Sequence, residues 1–226
     1  MKKYHLLLLL LAGSFSFLSA QIEYEKGYFI TEEGEKVDCL IKNVAWKNNP
    51  VEFRYQQAGV EKIGTIAEVK EFGVDGKSKY VREQVGIDRS SDIVSELGTS
   101  SKAELTIETL FLEVLVEGYA TLYKYEDRPL KRYFFQVDDG AVAQLVYKRY
   151  YVDDSVIASN NRFRQQLLNK MQMEARTDTE KLLYQKKSLT KYFVKFNEWK
   201  QVAFTEFGDH RKKNFTLSLK LGYSLN

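Results

Sequence analysis

The chain has 226 residues, 44% of them hydrophobic and 14% aromatic, with two prolines, a single cysteine and a formal net charge of +3. That length suits one good-sized domain or a domain with an appendage, and one cysteine excludes any intrachain disulfide. Charges are plentiful but mixed in sign, which argues against a basic, nucleic-acid-binding protein.

In chain order the first element is a leader. Lys2 and Lys3 form a positive start, Leu6 to Leu11 an unbroken leucine run, and Ser19 and Ala20 stand before Gln21. A charged start, a short apolar stretch and small residues at the end are what a signal peptidase reads. The stretch is short for a membrane span, which needs about 20 apolar residues, and no lipid-accepting cysteine follows it. Cleavage after Ala20 is expected. The leader holds two lysines and no acid, so its removal leaves 206 residues carrying +1. The expected location is the periplasm or the periplasmic face of the outer membrane.

Residues 21–153 read as a β-rich domain. Gly27 to Thr31 and Lys36 to Val44 form a hairpin around Glu32-Glu33-Gly34-Glu35. Trp46-Lys47-Asn48-Asn49-Pro50 is a break. Val51 to Tyr55 and Lys62 to Ile66 are short strands with Gln56 to Glu61 between them. Val69 to Val74 and Lys79 to Val85 pair around the two-residue turn Asp75-Gly76. In Val37-Asp38-Cys39-Leu40-Ile41, the period of two places Cys39 on an apolar face, as a buried and inert thiol. Ser90 to Lys102 is polar and reads as a mobile loop. Leu105 to Leu115 is long and mostly apolar. Tyr119 to Tyr125 alternates, with tyrosines at odd positions. Lys131 to Val137 and Val142 to Tyr150 flank the turn Asp138-Asp139-Gly140.

Residues 154–200 read as a helical segment packed on that domain. Asn160 or Asn161 caps a helix whose apolar face is Phe163, Leu167, Leu168 and Met171. Thr177-Asp178-Thr179-Glu180 fits a capping box and opens a second helix with the stripe Leu182, Leu189, Phe193 and Phe196. Residues 201–226 read as a linker and an amphipathic strand. Its apolar positions Phe215, Leu217, Leu219, Leu221, Tyr223 and Leu225 alternate with small or polar residues, as in a transmembrane β-strand, a strand that adds to a partner, or a terminal strand of the soluble sheet.

Catalytic signatures are weak. Gly73-Val74-Asp75-Gly76-Lys77-Ser78 resembles a phosphate loop, but only two residues separate its glycines where four are needed to curl amides around a phosphate. After cleavage His210 is the one histidine, and it sits in a basic linker, unsuited to a zinc site or a triad. Asp138-Asp139 and Asp153-Asp154 are paired acids, read as turn residues rather than as glycosidase carboxylates. Arg82, Asp88, Arg89 and Asp92 read as a solvated charge cluster without a role. Tyrosines such as Tyr119, Tyr123 and Tyr125 offer a sugar-stacking platform if exposed, and a sheet core if buried.

Several segments together resemble a family. They are Lys26 to Ile30, Cys39 to Asn43, Trp46-Lys47-Asn48-Asn49-Pro50, Ile87 to Ser91, Leu110 to Gly118 and Gln144 to Lys148. In this order they are similar to the N-terminal region of exported Bacteroidota envelope proteins, which in longer members precedes a PorT-like outer-membrane β-barrel. The resemblance covers about residues 21 to 200, with the WKNNP stretch as its most specific part, and it carries no catalytic residues. Some such proteins bear the label tRNA modification GTPase, against which the failed phosphate loop and the leader both argue. The resemblance implies that Phe215 to Leu225 is the first strand of a barrel. The chain ends at Asn226, however, and closed bacterial barrels need at least eight strands, so on that reading either the barrel is truncated or the strand pairs elsewhere.

The expected fold is α+β: an antiparallel meander of about eight to ten strands, a C-terminal helical pair and a detached terminal strand. The expected function is a non-enzymatic periplasmic accessory or sensor domain associated with the outer membrane. It needs no cofactor or metal, binds no nucleic acid or nucleotide, and has another envelope protein or the outer membrane as partner. The alternatives are a carbohydrate- or peptidoglycan-binding module and an enzyme with an unrecognised site.

Overall fold

A computed structural model of the chain describes residues 24–153, 155–173, 177–208 and 214–215; the leader and its cleavage point lie outside them. Ten strands follow one another in a single antiparallel sheet: β1 (Tyr24–Thr31), β2 (Lys36–Lys42), β3 (Glu52–Gln57), β4 (Val60–Thr65), β5 (Val69–Val74), β6 (Ser78–Asp88), β7 (Leu105–Glu117), β8 (Ala120–Asp127), β9 (Leu130–Val137) and β10 (Ala143–Leu145). Their spatial order is β10-β9-β8-β7-β6-β5-β1-β2-β3-β4. The meander therefore has one interruption, where β5 pairs with β1 rather than with β4. Next come a separate hairpin of β11 (Lys148–Tyr151) and β12 (Ile157–Asn160), and the helices α1 (Arg162–Lys170), α2 (Thr177–Glu180) and α3 (Lys186–Trp199). β13 (Phe204–Glu206) joins the C-terminal end of β7, and β14 (Asn214–Phe215) pairs with β13. The architecture is the α+β one expected from the sequence.

The sheet rolls twice. Phe53 on β3 stacks on Phe72 of β5 at 4.1 Å and 12°, although β1 and β2 lie between those strands. Strands β1 to β5 thus curl around Phe29, Ile41, Phe53, Phe72 and Val74. At the other end β10 closes toward β6, where the Gln144 side-chain oxygen accepts the Asp88 N–H at 2.8 Å. That second roll encloses Val85, Ile87, Leu112, Val114, Tyr123 and Phe134. The outer face of β7 to β9 receives the helices, with Phe163 and Leu167 of α1 and Leu189, Phe193 and Phe196 of α3 against Leu115, Leu122 and Phe135. Both faces of β7 are covered, so Leu110 to Val116 is apolar at every position but Glu113, as a strand buried on both sides requires.

Several expected boundaries move. The Gln56 to Glu61 break shrinks to Ala58-Gly59, whose positive φ values of 51° and 80° suit a tight primed turn. The β5–β6 connection has three residues, since Val74 faces Ser78. Val142 to Tyr150 is two strands, because Val146 turns to meet α1: its N–H donates to Gln166 and its carbonyl accepts from Phe163. The second helix is broken after α2 for a similar reason. Tyr184 lies in the break, and its hydroxyl accepts the Tyr133 N–H and donates to the Leu145 carbonyl at the end of the β9–β10 ladder. The loop expected to be mobile is clasped. Arg132 donates to the Ser90 carbonyl and Asp92, Tyr151 to the Gly98 carbonyl, and Lys148 to the Lys102 carbonyl.

Candidate functional site

The WKNNP segment, in the β2–β3 connection, builds the most elaborate concavity. Asn49 enters between β7 and β8 just beyond their last facing pair, Glu113 and Lys124. Its side-chain amide donates to the carbonyls of Phe111 (2.8 Å) and Lys124 (3.1 Å), and its oxygen accepts the Glu126 N–H (2.9 Å). The Asn49 N–H donates to the Glu126 carbonyl. The side chain replaces the missing ladder bonds, so the loop is fixed as firmly as a strand. Ala45, at φ +45°, turns the chain and leaves Trp46 half-buried. The indole meets Phe72 and Tyr80 edge-on, both at 71° and at 5.6 and 5.5 Å.

Beneath Trp46 lies a cleft of about 720 Å³. Its floor is a row of directly facing residues: Tyr80 on β6, Glu113 on β7, Lys124 on β8. The next position, on β9, is Tyr133. The Lys124 ammonium sits 2.6 Å from Glu113 and 3.2 Å from Glu126, and Lys186 approaches Glu113 at 3.6 Å. One wall is the β5–β6 turn, Asp75 to Ser78, and it adjoins Lys186 and Gly208, the Gly208 N–H donating to the Lys77 carbonyl. Lys77 pairs with Glu25, which also accepts from Asn43 on the near wall.

The electrostatics favour standing charges. Burial alone would pull the Lys124 pKa down, but the carboxylates of Glu113 and Glu126 more than reverse this and hold it above 10.5. Glu126 lies below its ordinary 4.5, because Lys124 and Lys131 outweigh its own burial. The Tyr80 hydroxyl is raised by burial first and by Glu113 and Glu126 next. A catalytic lysine needs the opposite shift, toward neutrality. The arrangement can offer fixed donors, acceptors and an aromatic wall to a bound group.

Other singled-out residues disperse. Gly73 to Ser78 forms the β5–β6 hairpin. Cys39 is half-buried, not fully buried, and its thiol is pushed up to about 11, by burial first and then by Asp38. Tyr123 and Tyr125 are buried in the second roll and Tyr119 packs against Phe196, so these three form no exposed stacking platform. Asp138 lies in the β9–β10 turn at φ +55°. Asp153 accepts from the Ser155 N–H and hydroxyl and from the Val156 N–H, which lower its pKa. Arg82, Asp88, Arg89 and Asp92 are not one solvated cluster. Arg82 pairs with Glu32 and Arg89 with Glu108, while Asp88 is buried and Asp92 serves the buried guanidinium of Arg132. Of the tail positions, Phe215 lies in β14 and its backbone faces Phe204. Leu217, Leu219, Leu221, Tyr223, Leu225, His210 and Asp154 lie outside the described residues.

A larger but shallower concavity of about 880 Å³ lies at the mouth of the first roll, where Glu61 is engaged by Arg54 and Tyr24, Glu32 by Arg82 and Glu68 by Thr65. Among the described residues no group of three or more His, Cys, Asp or Glu is placed to hold a metal ion. Sequence reading missed Glu113 and Lys124. Their signal was present: Glu113 is a lone charge inside an apolar run, and Lys124 stands between two tyrosines. Comparison with protein-family models, with curated proteins and with solved structures finds no match for this chain.

Proposed function

We propose that this chain is an exported, non-enzymatic accessory or sensor domain of the cell envelope, held near the outer membrane, and that the cleft beneath Trp46 receives another envelope component. The observation that carries the reading is the floor of the cleft. Glu113 and Lys124 are 2.6 Å apart and mostly buried, and Lys124 is held charged, which suits recognition better than proton transfer. The leader supplies the address, and the resemblance to exported Bacteroidota envelope proteins agrees with it. Expression with the leader in a diderm host tests the address. The mature chain should begin at Gln21 and be released with the periplasm or sediment with outer membranes; recovery of uncleaved chain in the cytosol would contradict it. In high salt, removal of residues 208–226 should shift a sedimenting chain to the soluble fraction, and unchanged sedimentation would exclude those residues as the tether.

A second reading is a glycan- or peptidoglycan-binding module. The aromatic wall and polar lining favour it, since Trp46 and Tyr80 stand beside Asn43, Asp75, Ser78 and Glu113 in one cleft. Purified sacculi should then co-sediment with the mature chain and lose it on Trp46→Ala. Equal sedimentation of the two would exclude the cleft as a glycan site.

A further inference from the structure

The near-neutral net charge hides a segregation. Residues 161–200 hold ten Lys and Arg against four Asp and Glu, whereas residues 21–160 hold eighteen against twenty-five. A charge asymmetry of this kind marks contact with a charged surface.

Helix α3 concentrates the positive charge on one row. Lys187, Lys191, Lys195 and Trp199 follow at intervals of four, so each neighbours the next in a row that winds slowly around the helix, and all four are exposed. The opposite side is anchored, with Leu189, Tyr192, Phe193, Phe196 and Asn197 buried. Glu198 is the one acid in the helix. Lys187 and Lys191 are paired with no carboxylate among the described residues. Trp199 closes the row at 45% exposed, and the Lys200 ammonium lies 5.3 Å over its ring. A groove of about 630 Å³ runs beside the row, lined by Lys186, Lys187, Thr190, Lys191 and Val194 with Glu206 to Gly208 opposite.

We infer that the outer face of α3 docks on an anionic phospholipid surface, with Lys187 and Lys191 facing the phosphates and Trp199 entering the headgroup layer. Lysines supply the long-range attraction to anionic lipid. A tryptophan at the end of the row is the side chain that settles at the membrane–water boundary. An acidic protein would use the lysines but leave the part of the indole not covered by Phe196 without a role; a nucleic acid would stack on it, and that outcome shows as absence of binding to anionic vesicles. The row shares none of its four side chains with the cleft, although the groove beside it shares Lys186 and Gly208; the envelope location proposed above decides only which membrane it meets.

The test uses the mature chain, Gln21 to Asn226, and vesicles of phosphatidylcholine with or without phosphatidylglycerol. The chain should co-sediment with the anionic vesicles, stay in solution with pure phosphatidylcholine, and be released by high salt. With each lysine near the surface contributing roughly fivefold, Lys187→Glu with Lys191→Glu should lower partitioning at least tenfold. In a Trp46→Phe background the emission of Trp199 should shift to the blue on anionic vesicles. Far-UV circular dichroism and thermal unfolding keep loss of fold apart from loss of binding. Equal partitioning of wild type and the double variant overturns the inference, as does absence of binding to anionic vesicles. Light scattering without vesicles identifies a dimer: if the double variant dissolves one, the row faces a second copy and the membrane assignment falls. Failure on vesicles leaves the cleft untouched, and failure of the cleft variants leaves this surface untouched.

Discussion

Side-chain amides do the work of peptide groups at four places in this sheet. Asn49 bridges β7 and β8, Asn197 holds both the N–H and the carbonyl of Ala120, Gln166 does the same for Val146 and Gln144, and Gln144 reaches Asp88. Each satisfies backbone groups that a curled sheet would otherwise bury unpaired, at a cost of about 1–3 kcal/mol apiece. Asn49→Ala should therefore destabilise by about 2–4 kcal/mol in urea unfolding, and Asn49→Asp should do no better, since a carboxylate would face two carbonyl oxygens. The floor pair behaves differently. Lys124→Met leaves mostly buried Glu113 with only the more distant Lys186, and Glu126 with Lys131, and should cost up to about 3–5 kcal/mol, whereas Glu113→Leu with Lys124→Leu removes the buried pair, leaves Glu126 on Lys131, and should cost much less. A double variant as unstable as the single one would contradict this.

At the scale of elements, β7 to β9 were readable because their apolar runs and tight turns agree, and α1 because of its apolar stripe; Asn161 does stand at the start of α1, but its side chain makes no capping bond and donates to the Ser159 carbonyl instead. The break before α3 was not. Its apolar spacing continues through Leu182, so periodicity alone joins α2 to α3, and only the sheet edge that needs the Tyr184 hydroxyl separates them. Tyr184→Phe keeps the ring on Tyr147 but orphans the Tyr133 N–H and the Leu145 carbonyl. It should cost about 1–3 kcal/mol, read from the unfolding midpoint, and speed amide exchange at Tyr133. The two rolls were equally hidden, because pairing pattern does not report curvature. β13 was hidden by its brevity, three residues that add to the end of β7. The cleft was half legible: WKNNP stood out as a specific segment, but nothing in it announces that Asn49 spans two strands far along the chain.

At the scale of the whole molecule, stability should be flat between about pH 5 and 9 and fall on both sides. Glu25 lies below 4.5 chiefly through Lys77, Glu108 through Arg89, and Glu126 through Lys124 and Lys131 against its own burial. Their contribution is present above the ordinary carboxylate value and is lost as pH falls through the lowered ones. On the alkaline side Tyr28, Tyr80, Tyr123, Tyr133 and Tyr184 lie above 10.0 through burial, and Lys124 above 10.5 through its carboxylates. The folded state keeps protons that the unfolded chain gives up, so this contribution is present below pH 10 and is lost above it. Urea midpoints across the range check both limbs; a maximum at the acid end would contradict them. The proposal that matters most concerns what enters the cleft. Photo-crosslinking in the native envelope tests it most directly, with p-benzoylphenylalanine at Ala45 on the cleft rim and, as control, at exposed Ser155 on the β11–β12 hairpin. The cleft reading predicts a discrete light-dependent adduct from position 45 that is absent from position 155 and lost on Trp46→Ala. Folded, exported chain that gives no adduct from position 45, or the same adducts from both positions, would contradict it.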